Sequence, residues 1–123
     1  MGNSAELYEI LDGLEEAENA ESAIPAMFEL MEKYSEADFG TPSPLVHIIE
    51  KIGNYENQLK RSVKRVPTYL NVWMVNRMLN GSISNDLRYE LTELLEAVFL
   101  NSNATQGAKE SAQMFVDYQK NKL

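Results

Sequence analysis

The sequence predicts an all-α protein: one domain over residues 1–123, with about seven helices in stacked antiparallel hairpins, forming a short solenoid-like array or an irregular bundle. Three observations carry this. Apolar residues recur at spacings of three and four nearly throughout, and no stretch shows the alternation of a half-buried strand. Proline, glycine and small polar residues punctuate the pattern at helix-length intervals. The connections are short, which favours antiparallel neighbours, although no exact repeat is visible. With 123 residues at 44% hydrophobic composition, a single core can form without disulfide or metal staples.

The first helix is predicted over residues 4–19, with Leu7, Ile10, Leu11, Leu14 and Ala17 on one stripe and Glu6, Glu9, Asp12, Glu15 and Glu16 on the rest. A second follows over residues 22–34. Ser22 is its expected cap, Pro25 is tolerable in a first turn, and Ala26, Met27, Leu30, Met31 and Tyr34 face inward. Residues 35–42 form the one long polar loop. A third helix spans residues 44–52, set by Ser43 as cap, Pro44 in first position and Gly53 beyond the last turn.

The fourth helix, residues 54–66, has a narrow apolar stripe of Tyr55, Leu59, Val63 and Val66 opposite Lys60, Arg61, Lys64 and Arg65, and Pro67 stops it. Thr68 caps a fifth helix to Asn80, ended by Gly81. Ser84 or Asn85 caps a sixth to about Asn101, and a seventh runs from about Thr105 to Lys120 along a seam of Ala108, Ala112, Phe115 and Tyr118.

Charge is sorted by position. Residues 1–56 carry thirteen acids and two lysines, residues 57–80 five bases and no acid, and residues 81–123 six acids and four bases, for a net charge of −8. A surface of this sign repels a polyanion, so direct nucleic-acid binding is not expected; a basic protein is the natural partner. The absence of cysteine suits a reducing compartment, the opening residues lack a basic stretch followed by an apolar run, and no segment has the length of a membrane span. We therefore expect a cytoplasmic protein with no membrane association, no metal and no cofactor.

Two features could carry chemistry. The fifth helix is apolar around most of its circumference, except for a stripe of Tyr69, Trp73, Asn76, Arg77 and Asn80. The structural reading is that Asn76 and Arg77 are satisfied by carboxylates or by loop carbonyls of residues 38–42. The functional reading is a recognition surface, because Trp, Tyr and Arg are enriched at binding hot spots. His47, the only histidine, lies near Glu50 and away from Leu45, Ile48, Ile49 and Ile52. It lacks a second His or Cys for zinc, and no nucleophile or glycine-rich phosphate loop accompanies it for acid–base chemistry. The basic face of the fourth helix reads as a solvated surface or as a set of partners for acidic helices, since its stripe has no Trp or Phe to anchor it in a bilayer.

The string Asp38-Phe39-Gly40-Thr41-Pro42-Ser43-Pro44-Leu45-Val46-His47-Ile48-Ile49-Glu50, followed by Pro67-Thr68 and Val72-Trp73-Met74-Val75-Asn76-Arg77, resembles small all-helical bacterial immunity proteins of polymorphic toxin and contact-dependent growth inhibition systems. The likeness covers the middle third of the chain. It implies a stoichiometric inhibitor, not an enzyme, that binds a secreted toxin domain and blocks its active site or substrate path. Within it, Pro44, His47, Glu50, Trp73, Asn76 and Arg77 match the family pattern. The expected partner is a basic cognate toxin, met by Glu6, Glu9, Asp12, Glu15 and Glu16 and by Tyr69, Trp73 and Arg77. A regulatory adaptor holding a cellular protein or peptide in a groove near Trp73 is the alternative, and an enzyme using His47, Glu50 and Arg77 ranks third.

Overall fold

A computed structural model describes residues 20–33 and 44–122. Within them the chain is all-helical, without strands, and comprises α1 (Ile24–Lys33), α2 (Pro44–Ile52), α3 (Glu56–Arg65), α4 (Tyr69–Leu79), α5 (Asn85–Ala97) and α6 (Gln106–Lys122), with 3-10 turns at Ala20–Ala23 and Val98–Leu100. The helix expected over residues 4–19 and the polar loop of residues 35–42 lie outside the described residues.

Local chemistry explains most boundaries. Ser22 sits inside the 3-10 turn, and the α-helix begins at Ile24 with Pro25 in its first turn. The fourth predicted helix starts two residues late, because Gly53 and Asn54 have φ of 82° and 52° and break the chain direction after α2. Its end follows from Pro67: Val66 is extended at φ −144° and ψ 91°. Thr68 caps α4 as predicted, accepting from the Asn71 amide at 3.1 Å while Asn71 Oδ1 accepts from the Thr68 amide at 2.7 Å. Of the two candidates for the α5 cap, Ser84 does it, accepting from the Leu87 amide at 3.1 Å. The Thr105 hydroxyl accepts from the Ala108 amide at 3.0 Å and opens α6.

The core runs through all six helices. Ile24, Met27, Phe28 and Met31 of α1 meet Leu45, Val46 and Ile49 of α2, Leu59 and Val63 of α3, and the fully buried Val72, Met74 and Val75 of α4. Each such side chain contributes about 1.5–3 kcal/mol relative to exposure. Helix α4 contacts α1, α3, α5 and α6, which is why its sequence is apolar on several sides. Two inward faces differ from expectation. In α1, Ala26 is exposed and Leu30 half-buried, with Ile24 and Phe28 filling the core instead. In α6, Tyr118 turns outward at 51% exposure, and Gln119 takes the buried place beside Ala108, Ala112 and Phe115.

Two polar connections cross this core. Glu32 of α1 accepts from Arg65 Nε and Nη2 at 3.0 and 2.8 Å and from the Ser62 hydroxyl at 2.8 Å. Ser62 in turn accepts from Asn71 Nδ2 at 3.0 Å, and the same amide nitrogen donates to the Val66 carbonyl at 3.0 Å. Asn71 thus uses both ends of its amide, as a fully buried side chain must. The second connection joins α4 to α6, where Gln119 Nε2 donates to Asn76 Oδ1 at 2.8 Å and Asn80 Oδ1 at 2.9 Å.

Candidate functional site

Of the side chains singled out on the fifth predicted helix, Tyr69, Trp73 and Arg77 form a continuous row on α4, from its first turn to its last. Tyr69 is 48% exposed, and its ring stacks on Trp73 with centroids 6.5 Å apart and an interplanar angle of 19°. Trp73 is partly buried against the core. On its other side lies Arg77, whose guanidinium carbon is 5.3 Å from the ring centroid. The spacing of four residues between each pair brings them one above another on the helix.

Arg77 is fixed from the other side by Glu50 of α2. Nε donates to Oε2 at 2.7 Å and Nη2 to Oε1 at 2.9 Å, the bidentate geometry that holds guanidinium and carboxylate in one plane. The Glu50 bond is the main cause that raises the Arg77 pKa, so the cation is never lost in the working range. Beside the pair, an open cleft of about 340 Å³ is lined by Glu50, Tyr55, Arg77, Met78, Asn80 and Gly81. Burial, and next the Glu50 carboxylate, push the Tyr55 phenol above its ordinary range, with Arg77 opposing. The phenol stays a neutral hydrogen-bond donor there.

Of the polar residues His47, Glu50, Asn76 and Arg77 that match the family pattern, Glu50 and Arg77 meet directly. Asn76 turns to Gln119 and is buried, and His47 is exposed and joins none of these bonds. The donor to Asn76 is therefore supplied from α6, and the acceptor of Arg77 from α2; residues 38–42, named as the other possible source, lie outside the described residues. Glu50 is engaged through both oxygens by Arg77. No group of three or more His, Cys, Asp or Glu among the described residues could hold a metal ion, and no described helix is long and apolar enough to cross a membrane.

The basic face divides. Lys60 bonds Glu56 at 3.0 Å and Glu90 of α5 at 2.9 Å, and Arg65 bonds Glu32, while Arg61 and Lys64 stay exposed without an ion pair among the described residues. The acidic residues Glu6, Glu9, Asp12, Glu15 and Glu16 lie outside the described residues. So does every unit of the net charge: the described residues hold eleven acids and eleven bases, and the other eight acids fall in residues 1–19 and 34–43.

Sequence reasoning missed Asn71, Ser62, Glu32 and Gln119. Only Asn71 left a signal, as the third residue after a Ser/Thr cap. No protein-family model, characterised protein or solved structure matches the chain. What the fold and surface define is a class: a small all-helical protein with a pre-set aromatic and ionic stripe beside an open cleft.

Proposed function

We propose that the protein is an immunity protein, which binds a cognate secreted bacterial toxin domain in the cytoplasm of the producing cell and neutralises it without catalysis. The observation that carries this reading is the Tyr69–Trp73–Arg77 stripe. Its side chains are held by stacking and by Glu50 before any partner arrives, so little conformational entropy is lost on binding. The resemblance of residues 38–50 and 72–77 to immunity proteins supports it, as does the surplus of acids in residues 1–19 and 34–43, which favours fast encounter with a basic toxin. We read the helices as antiparallel hairpins stacked side by side, a scaffold that leaves one face of α4 uncovered.

The adaptor reading draws on the open cleft beside the Arg77–Glu50 pair, which could hold a peptide side chain. Copurification from native cells, with identification of the bound protein, separates the two. A basic toxin domain released by Trp73→Ala supports immunity; a cellular regulator as the bound species supports the adaptor, and capture of neither removes both.

A further inference from the structure

The outer face of α5 is an exposed surface that the sequence reading did not single out, and on it the Tyr89 hydroxyl donates to the Glu93 carboxylate. At about 100° per residue in the helix and about 120° in the 3-10 turn, Asp86, Tyr89, Glu93, Glu96 and Leu100 fall within about 80° of one another. Tyr89 is 68% exposed and Leu100 91%, the two highest values among the large hydrophobic side chains described. They stand about 18 Å apart along the axis. Isolated exposed apolar residues are ordinary, but two on one stripe, on a rigid support, make a surface with anchors at both ends. The support is rigid because Leu91, Leu95 and Val98 are buried on the opposite face and Asn101 Nδ2 donates to the Lys64 carbonyl at 2.9 Å, tying the end of the element to α3.

The charges between the anchors are of one sign. Asp86, Glu93 and Glu96 are exposed and form no ion pair among the described residues, unlike Glu32, Glu50, Glu56 and Glu90. Arg88, the one cation of α5, turns away to the carbonyls of Leu79 and Gly81 at 2.8 and 3.4 Å. Nothing basic on α5 therefore neutralises the stripe. We propose that this face docks a basic amphipathic helix of a protein partner, which covers Tyr89 and Leu100 with its apolar side and meets Asp86, Glu93 and Glu96 with its cations. The surface is distinct from the Trp73 stripe on α4, and it rests on the proposed function only in that the partner is a protein.

The test uses the full chain labelled with ¹⁵N and a synthetic amphipathic helix of leucine and lysine, with an oligolysine of equal charge as control. The leucine–lysine peptide should shift the amides of residues 86–100. Tyr89→Ala/Leu100→Ala should weaken its binding about tenfold or more with an unchanged melting temperature, because neither side chain is in the core, and Glu93→Gln/Glu96→Gln should weaken it and flatten its salt dependence. Shifts centred on the Trp73 stripe or on residues 1–19, equal binding of the oligolysine, or undiminished binding by the double variants would overturn the proposal. The two readings fail separately. Copurification of a toxin released by Trp73→Ala, with no peptide binding at α5, removes only this inference; peptide binding at α5 with no toxin captured removes only the immunity function.

Discussion

Arg77 is gripped by Glu50 through two bonds of 2.7 and 2.9 Å while its guanidinium lies 5.3 Å from the Trp73 ring centroid, so one ion pair fixes the cation that lies against the only tryptophan. A polar contact between two helices thereby holds one member of the aromatic and ionic stripe. That coupling makes the site open to direct spectroscopic test.

Arg77→Ala should alter the tryptophan emission maximum and its accessibility to a soluble quencher, since Trp73 is the sole reporter. The pair is partly exposed, with Arg77 at 40% and Glu50 at 21%, so stability should fall by no more than about 1 kcal/mol. A fall several times larger would mean that the pair holds α2 in place rather than orienting Trp73.

Trp73→Ala should cost less than the roughly 3–5 kcal/mol of a fully buried aromatic, because the ring is only partly buried and is flanked by Tyr69 and Arg77 as well as by core. Denaturant unfolding with an unchanged m value would measure it. A loss at the top of that range would place the ring in the core.

Asn71→Ala should be the more damaging substitution, at about 2–3 kcal/mol. It removes one half of the α4 capping box and leaves the Val66 carbonyl and the Ser62 hydroxyl without their buried donor. A melting temperature equal to that of the unaltered chain would show that water replaces the amide.

Alkaline pH should destabilise the fold. The bond to Glu90 raises the Lys60 pKa and burial raises that of Tyr55, so both groups hold their protons more tightly folded than unfolded. Their contribution is fully present below the unfolded values of 10.5 and 10.0 and is lost as the pH rises through the folded ones. Melts between about pH 8 and about pH 11 should show the fall beginning near the upper third of that range, and Lys60→Met should shrink it. Stability that rises with pH there would reverse the sign of the argument.

Gly53→Ala should cost about 1 kcal/mol through backbone strain alone. At φ 82° a Cβ is disfavoured, although one placed there would meet nothing within 4 Å. A neutral effect by thermal melting would mean that the α2–α3 connection can adopt another conformation.

The sequence by itself determined what depends on neighbours along the chain. Helix type followed from apolar spacing, the α4 cap from Thr68, and the ends of α2 and α3 from Gly53 and Pro67, because these are effects of dihedral angles and of amides within one turn. The tyrosine, tryptophan and arginine of α4 were legible as a stripe for the same reason. The tertiary structure alone decided their partners: Glu50 comes from 27 residues before Arg77, and Gln119 from 43 residues after Asn76. It also chose Gln119 over Tyr118 for the inside of α6. The two are adjacent and differ by one step around the helix, so the periodicity of α6 tolerated either; the amide of Gln119 found acceptors on Asn76 and Asn80, whereas Tyr118 keeps its ring at the surface under Lys122, 5.6 Å from its centroid. A buried polar group needs a partner, and which partner is within reach is a property of packing between helices that no local pattern encodes.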